Sequence, residues 1–126
     1  MLEINKIVVQ QGNFMLQADL SIKSGERVAI IGPSGGGKST LLLALSGFLK
    51  LNSGSILLNG QIISGRNPAE MPCSILFQDN NLFPHMSVME NVGLGLKPTL
   101  KFNSVERKRI MEVLRKVGLQ KKISSK

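Results

Sequence analysis

The sequence has a single cysteine, one histidine and neither tryptophan nor tyrosine among its 126 residues. Cys73 therefore cannot form a disulfide within the chain, and it lacks cysteine or histidine partners at zinc-ligand spacing. No apolar run approaches the roughly 18 residues that a membrane-spanning helix needs. Glu3 and Lys6 stand where a signal peptide would have its apolar stretch. We therefore expect a cytoplasmic chain in a reducing compartment that does not cross a membrane unaided.

Acidic residues are also scarce, since 8 Asp and Glu face 16 Lys and Arg, giving a formal net charge of +8. Six basic and six acidic residues cancel in residues 1–96, whereas residues 97–126 hold ten basic residues against two acidic ones. A nucleic-acid-binding arm has this composition, but Phe102 is the one aromatic side chain in that segment on which a base could stack. We expect an exposed basic helix and no nucleic-acid partner.

The residues that are present predict a folded chain of mixed secondary structure. A hydrophobic fraction of 42% is typical of a globular domain, and this length suits one modest domain with a single core. Apolar alternation predicts two hairpins, one from strands at 2–9 and 15–22, and one from 54–58 and 61–63 around an Asn-Gly turn. Continuous apolar runs at 28–31 and 74–77 indicate two more strands, and the run at 28–31 is typical of a strand covered on both faces.

Three helices are predicted, over residues 41–49, 87–94 and about 103–117, with a surface loop at 64–72. Ser87 with Glu90 and Asn103 with Glu106 have the spacing of capping boxes, and Gly118 is a helix stop. The last helix has an apolar stripe, made of Ile110, Met111, Val113, Leu114 and Val117. Antiparallel hairpins combined with a strand–loop–helix unit predict an α/β fold.

One motif carries chemistry. Residues 32–39, Gly-Pro-Ser-Gly-Gly-Gly-Lys-Ser, match G-x-x-x-x-G-K-[ST] at every position, between a predicted strand and a predicted helix. Glycines let backbone N–H groups approach a phosphate at a helix N-terminus. Lys38 supplies a positive charge for the β- and γ-phosphates, and the Ser39 hydroxyl can ligate Mg²⁺. The structural alternative is a glycine-rich turn with an incidental lysine.

ATP hydrolysis needs more than this motif. ATPases that contain it also hold Mg²⁺ with an aspartate at the end of another buried strand. The chain has two aspartates. Asp19 lies inside the second predicted strand, and Asp79 follows an apolar run that Gln78 interrupts. We expect neither to take that role, so the sequence predicts nucleotide binding with poor catalysis.

The phosphate-binding motif, the strand and turn at 53–60, Leu76-Phe77-Gln78 and Asn91-Val92 resemble, in order and spacing, the first half of an ABC transporter ATP-binding subunit. Residues 76–83 and 90–98 are most similar to those of bacterial thiamine importers, although importers of polyamines, sulfate or iron share much of the pattern. The resemblance covers residues 1 to about 118. It implies a P-loop NTPase core with an N-terminal antiparallel β subdomain, truncated at the start of the helical subdomain.

The resemblance also implies roles for single residues. The cofactors would be ATP and Mg²⁺, and Thr40 would add a hydroxyl near the α-phosphate. The nucleotide-binding residues are then Gly32, Pro33, Ser34, Gly35, Gly36, Gly37, Lys38, Ser39 and Thr40, with Ser39 and Gln78 as the Mg²⁺ residues. Gln78 would be the Q-loop glutamine and a catalytic residue that reaches the γ-phosphate; the alternative is a loop amide that bonds local backbone. His85 is expected to be a solvated loop residue.

The implied partners are a membrane permease, contacted through residues 79–90 at the inner face of the membrane, and a second ATP-binding subunit in a homodimer. Residues 1–126 would form the N-terminal part of one nucleotide-binding domain, with Walker A and Q-loop present. The family's signature Leu-Ser-Gly-Gly-Gln, Walker B carboxylates and switch histidine do not follow residue 118. We therefore expect no family-like ATP hydrolysis by this chain alone, and an open edge on the strand at 28–31.

The chain also departs from the family pattern at the residue that would contact adenine. The family has an aromatic ring that stacks on adenine, whereas this chain has Gln11 at the nearest position and Phe14 three residues on. The leading hypothesis is the ATP-binding component of an importer that couples ATP binding and hydrolysis to transport, with thiamine as its substrate. The alternative is a non-hydrolysing nucleotide-binding or regulatory module that docks on a permease. A small P-loop kinase fits less well, because Gln78 and its flanking residues match the transporter pattern.

Overall fold

A four-stranded antiparallel sheet organises the first part of the chain in the computed structural model, which describes residues 1–125. Its strands, in the spatial order β2-β1-β3-β4, are β1 (Leu2–Gln11), β2 (Phe14–Ile22), β3 (Ser53–Leu58) and β4 (Gln61–Ile62). Both hairpins expected from the sequence are confirmed. The second turns at Asn59 and Gly60, whose φ values of 50° and 79° are those that a tight hairpin turn requires.

A bulge in β1 explains its unusual apolar spacing. Ile4 and Ile7 are three residues apart, so in a regular strand they would point to opposite faces, yet each is only 1% exposed. The pairing of β1 shifts register between Ile4 and Ile7 on one side and between Asn5 and Val8 on the other. The extra residue, with Lys6 at φ 44°, returns both isoleucines to the core face.

The core of this first unit, Met1–Ile75, lies between the sheet and helix α1 (Lys38–Leu45). Its buried residues are Ile4, Ile7, Leu41, Ile56, Ile63 and Met71. The helix was expected to run to residue 49 but ends at Leu45, where Ser46 donates its hydroxyl to the Leu42 carbonyl at 2.7 Å. Residues 64–72 form the predicted loop, with one 3₁₀ turn at Pro68–Glu70 and a buried Met71.

Two predicted strands are absent from residues 1–125. Residues 28–31 and 74–77 join no sheet, and Val28, Ile30 and Ile31 are 54%, 43% and 93% exposed. The expectation that both runs form strands, the first of them covered on both faces, is therefore wrong for this chain. A strand is held by hydrogen bonds to a neighbouring strand, and no described strand lies beside these segments.

A second unit begins at Leu76 and has its own hydrophobic cluster, so the single core expected from the length is wrong. It contains α2 (Val88–Gly93), α3 (Ser104–Lys116) and a 3₁₀ turn at Gln120–Lys122. Phe102, Ile110 and Leu114 are buried in this cluster, whereas Val113 and Val117 are exposed, so the buried stripe of α3 is narrower than expected. None of the helices within residues 1–125 has the length and apolar character to cross a membrane.

Both predicted capping boxes are confirmed. At α2 the Ser87 hydroxyl accepts the Glu90 N–H, and at α3 the Asn103 side chain accepts the Glu106 N–H at 2.8 Å. The Glu106 carboxylate in turn accepts the Asn103 N–H at 2.7 Å and forms an ion pair with Lys97 at 2.8 Å. These contacts, with the Lys97 hydrogen bond as the largest cause, lower the pKa of Glu106 from its ordinary 4.5.

This lowered pKa gives the second unit a pH-dependent stability. A carboxyl group whose folded pKa is depressed stabilises the fold above its unfolded pKa, and that stabilisation is lost as the pH falls through the folded value. We expect the free energy of unfolding to decrease below about pH 4.5 in the native chain and less so in Glu106→Gln, which keeps a capping amide. Urea unfolding at pH 7 and pH 3.5, followed by circular dichroism, measures this.

The control is Glu112→Gln, which removes an exposed carboxylate from the same helix. It should leave the pH dependence of the native chain in place. An equal loss of pH dependence in both variants would show that net charge, rather than the contacts of Glu106, causes the effect.

Candidate functional site

The segment between residues 32 and 37 is a glycine-rich loop that turns directly into α1. Gly36 N–H donates to the Pro33 carbonyl at 3.1 Å, which closes the loop, and Gly35 and Gly37 have φ values of 76° and 88°. Gly37 is the N-cap of α1 and makes no side-chain cap hydrogen bond. The first N–H groups of the helix thus lack a side-chain acceptor at the cap, so an anion can bind them.

The electrostatics of this helix start also favour an anion. The first turn of α1 contains no acidic residue, and the aligned peptide dipoles give it partial positive charge. Lys38 adds a full charge at the first helical position. Ser39 is exposed and Thr40 is half-buried, and both hydroxyls lie in this first turn.

The Lys38 ammonium folds back over the loop that precedes it. Its Nζ donates to the carbonyl oxygen of Gly32 at 2.8 Å and to that of Pro33 at 2.6 Å. An ammonium has three donors, and these two bonds hold it against the loop backbone. A ligand with better acceptors than these carbonyls, such as phosphate oxygens, could take over both bonds.

Steric limits on the loop differ from one glycine to the next. A Cβ built on Gly36 would lie 3.0 Å from the Pro33 carbonyl oxygen, and one built on Gly37 would lie 2.8 Å from Cζ of Phe14. Around Gly32 and Gly35 such an atom would meet nothing within 4 Å. The contact between Phe14 and Gly37 was missed in the sequence, although Phe14 and Leu16 share one face of β2.

Gln78 lies in an exposed bend near the start of the second unit. The amide that bonds the local backbone there is that of Asn81, whose Oδ1 accepts the Phe77 N–H at 2.8 Å and whose Nδ2 donates to the Phe77 carbonyl at 2.5 Å. Asn81 thus makes backbone bonds of the kind considered for the Gln78 amide. The Gln78 side chain belongs to the exposed surface of the bend.

Asn91, which the sequence marked as part of the family resemblance but without a structural role, fixes the backbone after that bend. Its Oδ1 accepts the Phe83 N–H at 2.7 Å, and its Nδ2 lies 3.1, 3.2 and 3.1 Å from the carbonyl oxygens of Phe83, Met86 and Ser87. A polar amide in the first turns of a short helix that follows a proline-containing loop is the signal for such a role. The side chains of Leu82 and Phe83 stay exposed by 73% and 49%.

The two aspartates and the histidine of the sequence are the remaining candidates for chemistry. The Asp19 carboxylate, within β2, accepts the Lys6 N–H at 3.4 Å, and Asp79 is exposed beside Gln78. His85 is an exposed loop residue whose ring lies edge-on to Phe83, at 6.0 Å between centroids. Within residues 1–125 no three His, Cys, Asp or Glu side chains are grouped to hold a metal ion.

Comparison with known proteins matches residues 15–126 to the family model described as ABC transporter. The curated relatives include the thiamine import ATP-binding protein ThiQ of Cereibacter sphaeroides, 50% identical over 119 residues, which cover 94% of this chain and 52% of the relative. The protein of the same name from Photorhabdus laumondii is 42% identical over 120 residues, covering 95% of this chain and 51% of the relative. The chain thus spans about half the length of the curated relatives it matches.

Solved structures agree with the fold. A nucleotide-free ATP-binding cassette from an ABC transporter has a TM-score of 0.85 and 26% identity, covering 100% of this chain and 57% of that one. The ADP conformation of the cassette MJ1267 has a TM-score of 0.83 with the same identity of 26% and the same coverage of 100% and 57%. A dimeric post-hydrolysis state of the cassette MJ0796 has a TM-score of 0.73 and 27% identity, over 98% of this chain and 60% of that one. The α/β fold class with its N-terminal antiparallel sheet is confirmed.

Proposed function

Because the chain belongs to the ABC transporter family, we propose that it acts as the ATP-binding component of an importer, with residues 32–40 holding Mg·ATP. The observation that carries this proposal is the loop geometry: an N-cap glycine with positive φ opens α1, and the Lys38 ammonium lies over the same loop. Both features supply positive charge to one small region of backbone.

In this proposal each residue of the loop has one task. The backbone N–H groups of Gly35 and of residues 37–39 bind phosphate oxygens, and Gly32 and Pro33 supply the carbonyls that hold Lys38 until a β- or γ-phosphate oxygen replaces them. Ser34 belongs to the turn, and the Thr40 hydroxyl lies on the side of the α-phosphate. The donor set fits Mg²⁺ bound mainly by the nucleotide, with the Ser39 hydroxyl as its protein ligand; bound there, the ion neutralises phosphate charge.

Gln78 and its neighbours are proposed to report the nucleotide state to a membrane permease. The exposed side chains of Leu82 and Phe83 offer an apolar contact for such a partner within residues 79–90. A second ATP-binding subunit is proposed by analogy with the MJ0796 cassette, which is dimeric in its post-hydrolysis state. This assembly would lie at the inner face of the membrane.

The transported substrate is proposed from the relatives alone. Proteins 42% to 50% identical to this chain are named thiamine import ATP-binding proteins, so thiamine is the substrate we propose. We also propose that the 126-residue chain binds nucleotide without family-like hydrolysis. A non-hydrolysing module on a permease remains the second hypothesis, and it shares the same nucleotide site.

Lys38→Ala tests the nucleotide site directly. We expect the variant to bind Mg·ATP roughly 10- to 100-fold more weakly, because it loses charge-assisted hydrogen bonds to the phosphates. Isothermal titration calorimetry of the native chain and the variant measures the change. Steady phosphate release by the native chain that Lys38→Ala abolishes would refute the absence of hydrolysis.

Lys50→Ala is the matched control, because it removes the same charge from an exposed lysine that lies five residues beyond the C-terminal end of α1. It should bind Mg·ATP as the native chain does. If Lys38→Ala and Lys50→Ala both bind like the native chain, the loop is an ordinary glycine-rich turn and the proposal is wrong.

A further inference from the structure

Phe14, the first residue of β2, reaches across to the phosphate-binding loop. A Cβ built on Gly37 would lie 2.8 Å from Cζ and 3.3 Å from Cε1 of its ring, and 3.1 Å from Cδ1 of Leu16. Phe14 and Leu16 are two residues apart and therefore point to the same face of the sheet. The Cα of Gly37 is thus covered by two apolar side chains.

Gly37 is the residue that sets where α1 begins. Its carbonyl accepts the Leu41 N–H at 2.9 Å, the first bond of the helix, and its φ of 88° turns the loop into that helix. It has no side-chain cap hydrogen bond to hold it. Packing against Phe14 is therefore a restraint on the direction in which the following N–H groups point.

The orientation of the Phe14 ring argues against stacking of a nucleobase on it. Cζ and Cε1, the far edge of the ring, face Gly37, and the side chain is 37% exposed. A base stacks on the face of an aromatic ring. Phe48, the other aromatic residue of the first unit, follows the C-terminal end of α1, about 12 Å along this eight-residue helix from the loop.

We propose that Phe14 is a positioning residue that holds Gly37 and the start of α1 ready for the triphosphate, and that it does not bind the base. This inference rests on the proposed nucleotide site and adds to it. Recognition in the first unit is then directed at the phosphate chain. ATP and inorganic tripolyphosphate should depend on Phe14 to the same extent.

Phe14→Leu and Phe14→Ala separate the two roles, with ATP and tripolyphosphate as probes in the presence of Mg²⁺. Leucine removes the aromatic face but keeps an apolar contact, so Phe14→Leu should keep both affinities within about twofold. Alanine removes the contact and should weaken both probes by roughly fivefold, an effect the size of one aromatic contact. Met15→Ala, on the opposite face of β2, is the control and should change neither.

A selective loss of ATP affinity in Phe14→Leu, with tripolyphosphate unchanged, would assign Phe14 to the base and overturn the inference. So would full retention of both affinities in Phe14→Ala. Hydrogen exchange without any ligand gives a readout that does not need binding: Phe14→Ala should speed the exchange of the hydrogen-bonded Gly36 and Leu41 amides at least fivefold while those of β3 stay unchanged. If the native chain binds neither probe, the proposed function fails, and this exchange result alone decides the role of Phe14.

Discussion

Gly54→Ala should lower the free energy of unfolding of the first unit by at least about 3 kcal/mol, a large share of the stability of a small domain. A Cβ on Gly54 would lie 2.6 Å from the Asn5 carbonyl oxygen and 2.6 Å from Cα of Ile7, and closer still to the Lys6 carbonyl oxygen. All three are backbone atoms of β1, so no side-chain rotation can make room. The φ of 83° adds strain of about 1–2 kcal/mol for any residue with a Cβ.

Gly54 has this sensitivity because it lies opposite the bulge of β1. The extra residue at Lys6 brings the backbone of β1 toward β3 at the position where the register shifts. Only a glycine leaves space for that approach. The bulge places both Ile4 and Ile7 in the core. Gly54→Ala would disturb the register of β1 at the bulge, so we expect part of the loss in the free energy of unfolding to come from poorer packing of these two side chains.

Gly60→Ala is the matched control for this experiment. Gly60 has a similar φ of 79°, but a Cβ there would meet nothing within 4 Å. Its cost should be the conformational strain alone, about 1–2 kcal/mol. Urea unfolding followed by far-ultraviolet circular dichroism compares the two, since the chain has no tryptophan or tyrosine for fluorescence. Equal losses in both variants would contradict the role assigned to the bulge.

Gly93→Ala should destabilise the second unit by about 2–3 kcal/mol, the range of overpacking in a core. A Cβ on Gly93 would lie 2.6 Å from Cε2 and 2.8 Å from Cε1 of Phe102, and nearest to its Cζ. The Phe102 ring is 9% exposed and belongs to the cluster with Ile110 and Leu114, so it cannot move away freely. The gain in helix propensity from glycine to alanine, about 1 kcal/mol, is smaller than this clash.

Gly95→Ala provides the control for Gly93→Ala, because its nearest neighbour, the Val92 carbonyl oxygen, would be at 3.4 Å, an ordinary contact. We expect it to change the stability by less than about 1 kcal/mol. In the double variant Gly93→Ala with Phe102→Leu, the smaller side chain should make the combined loss less than the sum of the single losses. Strict additivity, measured by thermal unfolding at 222 nm, would show that the two residues do not contact each other.

Features of the structure that depend on residues close together in the sequence were predicted correctly. Both hairpins depend on turn residues between apolar strands, and both capping boxes depend on one side chain three residues from another. The glycine-rich loop at residues 32–37 belongs to the same class, because its glycines and Lys38 are contiguous and α1 starts directly after them. The correct predictions of this chain are therefore short-range ones.

Features that depend on distant residues could not be predicted in the same way. The apolar run at 28–31 has the composition of a buried strand, but strand formation needs a neighbour that residues 1–125 do not provide. The contact between Phe14 and Gly37 joins residues that are far apart in sequence. Asn91 supports the backbone of a loop through its amide. Water can bond the same backbone groups when another residue type stands there, so the sequence did not predict this role.

The two carbonyl bonds of Lys38 bear on the thermodynamics of any anion that reaches the loop. Before an anion binds, the Lys38 ammonium is already hydrogen-bonded to the Gly32 and Pro33 carbonyls. The enthalpy gained from a new bond to phosphate is therefore offset by the loss of these two bonds. The net gain is the difference between two hydrogen-bonded states, and it grows with the charge and number of acceptor oxygens on the ligand. Monovalent anions such as chloride should therefore compete poorly at this loop, and we expect the two carbonyl bonds of Lys38 to favour polyvalent oxyanions over them.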